Sequence, residues 1–368
     1  MDIHAATQSY EAWLTRQTDV SAADLECKHE QMRNDTSPFP FLRATFYRWA
    51  QLWPEVCAEL TDAPQVLAVG DLHIENFGTW RDREGRLAWG VNDFDEAGRL
   101  PYTSDLVRLA TSARLAAAAE HIELTPKDAC AALLAGYTAG LEDGARPFIL
   151  AERHRRLRAM IDAKHRDPTA FWQELDALPA VNTDELPAGN AGVLAEACAA
   201  IEALWPEPGV NYRLVRRVAG LGSLGRQRFA GLGAWRGGRL AREAKALVPS
   251  SLVWAGINEE GSPGCAQALA QAVRAPDPFL RVQGRWLVRR LAPDCQRIDL
   301  KALAKRRDEY RLLRAMGRET ANVHLGSPAA APLIAADLSR RPARWLHTNA
   351  QRMAQATITD WQHWRQAG

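Results

Sequence analysis

VGDLHIENFG at 69–78 and WGVNDFDEA at 89–97 are joined by a polar, glycine-containing turn, RDREGR at 81–86. The apolar run VLAVG at 66–70 is short, rich in valine and closed by glycine, so it reads as a buried strand. The turn that follows reads as a hairpin. Asp71 therefore comes just after a strand, with the amide Asn76 close behind it. Asp93 and Asp95 stand at strand spacing at the end of the next apolar run. An aspartate beside a hydroxyl can orient it or take its proton, and a neutral Asn oxygen can ligate Mg2+ without adding charge. A strand-end Asp and Asn capping a turn would account for the first segment taken alone. Two carboxylates ending an apolar strand are costly unless a cation neutralises them, which makes Asn76, Asp93 and Asp95 candidate metal ligands.

Working outward, Asp105 lies at the start of a helical pattern, DLVRLATSARLAAAAEH, and is expected to cap that helix or brace the loop above it. Before the central strands, residues 1–62 read as polar helical sequence, interrupted at SPFPF (37–41), where two prolines are expected to break any helix. After WPEPG the sequence becomes strand-rich. Here GLGSLG gives Gly220, Gly222 and Gly225 as G-x-G-x-x-G, with Ser223 between them. The further glycines that follow favour a hairpin over the helix a dinucleotide-binding unit needs. LAREAKAL then supplies a basic residue on the next strand, Lys245 or Arg242. Glu243 roughly fits the ribose-binding acid of a dinucleotide fingerprint, a weaker reading for the same reason. From 301 the sequence reads as charged amphipathic helices and a tail carrying Trp345, Trp361 and Trp364.

The order catalytic Asp, metal-ligating Asn, hairpin, metal-ligating Asp is that of kinase-type phosphoryl-transfer sites, and a glycine hairpin followed by a basic strand residue is their phosphate-binding arrangement. Composition narrows the field further. In 368 residues, 47% are hydrophobic and 46 basic side chains nearly balance 44 acidic ones, so disorder and a globally basic nucleic-acid surface are excluded. The basic stretch ERHRRLRAMIDAKHR at 152–166 is expected to be a solvated helix face, and nucleic acid is not expected as a partner. No apolar run is long enough to span a membrane, and the chain is expected to be cytoplasmic, without a membrane partner. The 6 cysteines form no C-x-x-C pair and read as reduced, mostly buried thiols; the 13 tryptophans read as packing. The D-x-H of Asp71 and His73 could begin a binuclear phosphoesterase site, but the N-H and H-x-H clusters such a site needs are missing.

With SPFPFLRATFYRW (37–49), VGDLHIENFGTWRD (69–82), VNDFDEA (91–97), GLGSLG (220–225) and REAKALVPSS (242–251), the sequence resembles the bacterial family known as domain of unknown function 2252, within the protein-kinase-like superfamily. The first pair of motifs is also similar to aminoglycoside and choline-type small-molecule kinases. That resemblance implies ATP and Mg2+ as cofactors, Asp71 as catalytic aspartate, Asn76 and Asp93 as Mg2+ ligands, and an unidentified hydroxyl acceptor as partner. Two departures stand out: Val69 occupies the place where those kinases usually carry His, and the glycine loop follows the catalytic aspartate instead of preceding it. The expected fold is α+β, a two-lobed kinase-like fold, circularly permuted, with helices added at both termini. Its expected units are an N-terminal helical extension (1–65), a catalytic helical lobe (66–205), a strand-rich nucleotide lobe (206–295) and a helical segment returning to the catalytic lobe (296–368). Permutation is physically cheap when the old termini lie close together. It predicts that Lys245, favoured over Arg242, points across a cleft at Asp93 from about 4 to 12 Å, with the glycine hairpin over the same space. A nucleotide-binding pseudokinase with a regulatory role and an adenylyltransferase on the same fold are the alternatives.

Overall fold

The computed structural model describes residues 1–119, 122–150, 152, 154–162, 167–181, 190–295, 297 and 306–366. The N-terminal quarter is helical: α1 (Ile3–Gln17), α2 (Ala22–Asn34), α3 (Pro38–Ala44) and α4 (Phe46–Val56). Asp2 and Ser21 cap the first two of these by accepting from Ala5 and Asp24 backbone N–H groups. The prolines of SPFPF do not break a helix; they start α3. Pro38 and Pro40 both sit in its first turn, where no intrahelical N–H bond is lost.

Next come β1 (Gln65–Ala68), β2 (Phe77–Arg81), β3 (Leu87–Val91) and β4 (Gly98–Pro101). The strand and the hairpin at 81–86 form as expected, with Phe77 opposite Val91 and Arg81 opposite Leu87. β1 pairs with β4, from Gln65 opposite Pro101 to Ala68 opposite Gly98. The DFD segment departs from expectation: β3 ends at Val91, and Asp93 and Asp95 lie in the loop that follows. α5 (Tyr102–Ala118) and α6 (Pro126–Glu142) follow, then β5 (Phe148–Ile149), which adds to the β2–β3 sheet, and α7 (Arg155–Asp162). α7 lies within the basic stretch at 152–166, of which 153 and 163–166 fall outside the described residues.

α8 (Pro168–Asp176) and α9 (Asn190–Glu202) lead into the second half of the chain. There β6 (Tyr212–Arg216), β7 (Arg228–Trp235) and β8 (Gly238–Ala246) are followed by short helices α10 (Ser251–Trp254) and α11 (Cys265–Gln271), then β9 (Arg281–Gln283) and β10 (Trp286–Leu291). The strands form one antiparallel sheet in the order β6-β7-β8-β10-β9. α9 covers one face, with Leu194, Ala197 and Ile201 against Phe229, Ala244 and Trp286, while Phe171 and Leu175 of α8 pack with Ala230, Leu232 and Leu291. α12 (Arg306–His324), α13 (Ala331–Arg340) and α14 (Trp345–Gln366) complete the chain. α12 lies along α6 and α14 along α5, so the last helices return to the element that follows the 69–97 loops. The main core joins Phe46, Trp49, Val66, Trp89, Leu106 and Met316 from these elements. The architecture is mixed α+β, and no helix among the described residues is long and apolar enough to cross a membrane. All six cysteines are free, three of them buried, and Trp49, Trp53, Trp80, Trp89 and Trp286 are packed inside.

Candidate functional site

α5 carries a polar stripe on an otherwise buried helix, and that stripe holds the 69–76 loop. Asp105 accepts from the Val69 and Gly70 N–H groups at 2.7 and 2.9 Å and from His324 Nε2 at 3.1 Å. One turn on, Arg108 donates through Nε (2.9 Å) and Nη2 (2.5 Å) to Asp71 Oδ1. A turn further, Ser112 Oγ accepts from Ile74 N–H at 3.1 Å. Residues three and four apart share a helix face, so one rigid element fixes the whole loop. Asp105 is thus the brace anticipated from its place at the helix start. Gly70 lets the chain turn: its φ is +79°, and a Cβ there would come within 2.1 Å of the Glu96 carbonyl oxygen.

Asn76 ties this loop to the next. Its Nδ2 donates to the Asp71 and Asp93 carbonyls at 3.1 and 3.0 Å, and its Oδ1 accepts from Asp93 N–H at 2.9 Å. The carboxamide therefore joins the two loops through their backbones. Above them, Lys245 on β8 reaches down to Asp93 at 3.2 Å and also pairs with Asp95. That contact is slightly shorter than the expected window and is the direct pairing anticipated for it. The two carboxylates differ in setting: the Asp93 side chain is 45% exposed in the cleft, whereas Asp95 is 8% exposed and also faces Arg226 at 3.6 Å. Desolvation opposes ionisation of Asp93, but Lys245 and hydrogen bonds from Asp95 outweigh it and hold its carboxyl below the ordinary range. Burial first, and then the adjacent Asp93, push the Asp95 carboxyl up.

Strand alternation separates the two basic candidates. Lys245 and Glu243 share the face toward the cleft, and Arg242 points to the other side. There Arg242 donates to the Leu204 and Ala241 carbonyls and lies over the Phe279 ring at 4.3 Å, so it does not join the site. Glu243 is no ribose ligand. It is buried beneath Arg217, Arg228 (3.3 Å) and Arg289 (2.8 Å), which hold its carboxyl well below the ordinary range against the cost of burial. Arg228 extends this cluster to the glycine loop by donating to Ser223 Oγ at 2.7 Å.

The loop between β6 and β7 carries GLGSLG, with a short 3-10 turn at Leu221–Ser223. Gly220, Gly222 and Ser223 line one cleft of about 850 Å³, open to solvent, together with Asp71, Asn76 and Asp93. Gly222 lies against the side that carries Asp71: a Cβ there would come within 2.8 Å of the Arg43 carbonyl oxygen and 3.9 Å of Asp71 Oδ2. Gly225 faces away, with φ +95° and a Cβ position 2.8 Å from Leu25, and its carbonyl accepts from Ser21 N–H. A second cleft of about 1070 Å³ adjoins the first at Asn92, Arg289 and Arg297 and runs along Arg290–Ala292. This stretch belongs to RWLVRRLAP at 285–293.

Sequence reasoning missed the residues that complete the cleft. Arg108 is fully buried under the rings of Phe46 and Trp49 (4.8 and 4.9 Å) and clasps Asp71. Burial raises the Asp71 carboxyl above its usual range, with Arg108 opposing. Arg43 pairs with Glu75 at 2.6 Å. His73 accepts Glu75 N–H on Nδ1 at 3.2 Å. Burial, with Arg43, Arg108 and Arg297 around it, holds the His73 imidazole well below its usual range, in the neutral form. The signal for Arg108 was present in its spacing from Asp105 and Ser112 within an apolar helix.

Among the described residues no three His, Cys, Asp or Glu side chains cluster as a metal cage. Asp93, half open, and Asp95, whose Oδ1 is buried without a hydrogen-bond partner, fit the two-carboxylate set with which Mg2+ is held when phosphate oxygens complete its shell. In comparisons with known proteins, the family described as "Uncharacterized protein conserved in bacteria", domain of unknown function 2252, matches residues 21–181. No curated protein and no solved structure matches the chain.

Proposed function

We propose that this protein is an ATP- and Mg2+-dependent phosphotransferase with a circularly permuted kinase-like fold, acting on a hydroxyl acceptor. One observation carries the reading. Lys245, on the third strand of a sheet whose first two strands enclose a glycine loop, pairs at 3.2 Å with Asp93, and both the loop and Asp93 line the cleft that holds Asp71. Phosphoryl transfer depends on positioning and charge, and its parts are a glycine loop, a strand lysine, a metal-binding aspartate and a base. In this reading the Gly220–Ser223 loop, Lys245, Asp93 and Asp71 are those four parts, although the loop and the lysine follow Asp71 in the chain.

In this reading the ammonium of Lys245 occupies the place between Asp93 and Asp95 until nucleotide enters, then turns to its phosphates. Asp93 and Asp95 would hold Mg2+, which when bound neutralises phosphate charge. Asn76 keeps the two acidic loops in register, and Asp71, oriented by Arg108 through Oδ1, offers Oδ2 to the acceptor hydroxyl. The second reading, a nucleotide-binding pseudokinase, draws on the same clasp: Arg108 takes Asp71 Oδ1 twice, and Gly222 lies over the remaining oxygen.

A thermal-unfolding scan with saturating Mg·ATP, Mg·GTP and NAD tests the assignment. Ligand at about 100 times its Kd stabilises the folded state by roughly 2.7 kcal/mol, so a clear rise in Tm with Mg·ATP is expected. No shift with either nucleoside triphosphate, or a shift with NAD alone, contradicts it.

A further inference from the structure

Around Asp71 one guanidinium group is left without an ion-pair partner among the described residues. Asp71 is matched by Arg108 and Glu75 by Arg43, and Lys245 is shared by Asp93 and Asp95. Arg297 lines the same cleft and makes no ion pair with any described residue. Its backbone bridges to Gly78, at the end of the catalytic-loop segment, which places it on the Asp71 side. Across the cleft, Glu243 alone answers three guanidinium groups. Two residues that line this space carry further donors without acceptors among the described residues. Arg43 Nε is buried with no hydrogen-bond partner. His73 receives Glu75 N–H on Nδ1, so its neutral ring carries the proton on Nε2, for which no described residue provides an acceptor. Donors of this kind next to an uncompensated guanidinium are a site for an oxyanion. A cationic ligand would be repelled by the same guanidinium group.

We infer that the phosphoryl acceptor is an anion, a small hydroxylated molecule bearing a phosphate or carboxylate that Arg43, Arg297 and the His73 Nε2–H group hold beside Asp71. The inference rests on the phosphotransferase reading and separates this cleft from one for amines such as choline or an aminoglycoside. The hydroxyl of such an acceptor lies at Asp71 while its anionic group is held away from the phosphates of the donor, so the two negative ends do not share one site.

Isothermal titration of the full chain, first saturated with Mg2+ and a non-hydrolysable ATP analogue, tests it. The filled nucleotide site removes trivial phosphate binding. The probes are glycerol 3-phosphate and glycerate against choline and ethanolamine. The expected result is binding of at least one anionic probe, no binding of either cation, and a loss of about 10-fold or more in anion affinity for Arg297→Ala. Arg297 is exposed and makes no ion pair with any described residue, so this variant should keep the wild-type melting curve; Arg43→Gln, assayed beside it, should weaken the same probe. Binding of the cations, binding of no anion, or an anion affinity unchanged in both variants overturns the inference while leaving nucleotide binding intact. Absence of binding by the nucleotide analogue itself is the separate failure of the phosphotransferase reading, and the inference falls with it.

Discussion

Glu319 on α12 is buried against the strand that leads to the acidic loop. Its Oε1 accepts from Val91 N–H at 3.3 Å, its Oε2 accepts from Asn322 Nδ2 at 2.9 Å, and a Cβ at Gly90 would come within 2.1 Å of Oε1. Burial, only partly offset by Asn322 and Arg274, pushes this carboxyl from 4.5 up to about 7. Between those two values the folded chain keeps a proton that the unfolded chain has released. Stability is therefore full below pH 4.5 and declines as pH rises to about 7, by about 3 kcal/mol for this group alone. Glu319→Gln should flatten that part of the profile in denaturant unfolding measured between pH 5 and 8; an unchanged slope would show that Glu319 is ionised throughout. At this scale the sequence was most legible where function is packed into short segments. Asp71, Asn76, Asp93 and Lys245 could be named because their residue types and spacing carry the chemistry. The spacing of Arg108 from Asp105 and Ser112 marks a shared helix face but not what that face meets, and the Glu243 cluster left no such sign, because which way a helix or strand faces is set by tertiary packing.

Among the elements, the crossing of α6 and α12 determines how the late helices return to the 69–97 loops. Its two closest backbone approaches are made by glycines. A Cβ at Gly136 would lie 1.9 Å from the Arg314 carbonyl oxygen, and one at Gly317 would lie 2.1 Å from the Leu133 carbonyl oxygen. The helices touch backbone to backbone, and neither contact can be relieved by a rotamer change. Gly136→Ala should cost about 3 kcal/mol despite the higher helix propensity of alanine. The check is the denaturation midpoint relative to Ala135→Gly, a change at a neighbouring position of the same helix that tests propensity; equal midpoints would contradict the close crossing. Helices and hairpins were readable from periodicity and turn chemistry, as the 81–86 turn and α12 illustrate. α3 was misread, since prolines break a helix interior and start a first turn, and only the chain's actual path distinguishes the two.

For the molecule as a whole, the cleft is assembled from segments far apart in the chain, and the N-terminal helices bind them together. Ser21 N–H donates to the Gly225 carbonyl at 3.0 Å, Asp24 pairs with Arg216, and Tyr10 accepts from Arg226, which itself pairs with Glu96 at 3.2 Å. α1 and α2 thus touch the glycine-loop sheet while α1 and α3 pack on α4 and α14. This long-range assembly was open to inference only through the site, because a lysine, a glycine loop and two acidic loops make chemical sense together. That α8 and α9 would cover the sheet left no comparable trace in composition or periodicity. The central claim is that Asp93 serves the nucleotide and its metal while Asp71 serves the acceptor. The most direct measurement is titration of Mg·ATP into Asp93→Ala and Asp71→Asn, with ADP formation followed in parallel. The account predicts that Asp93→Ala abolishes Mg2+-dependent ATP binding, while Asp71→Asn binds within a few-fold of wild type and has lost turnover. Equal loss of ATP affinity in the two variants, or turnover surviving in Asp71→Asn, would contradict it.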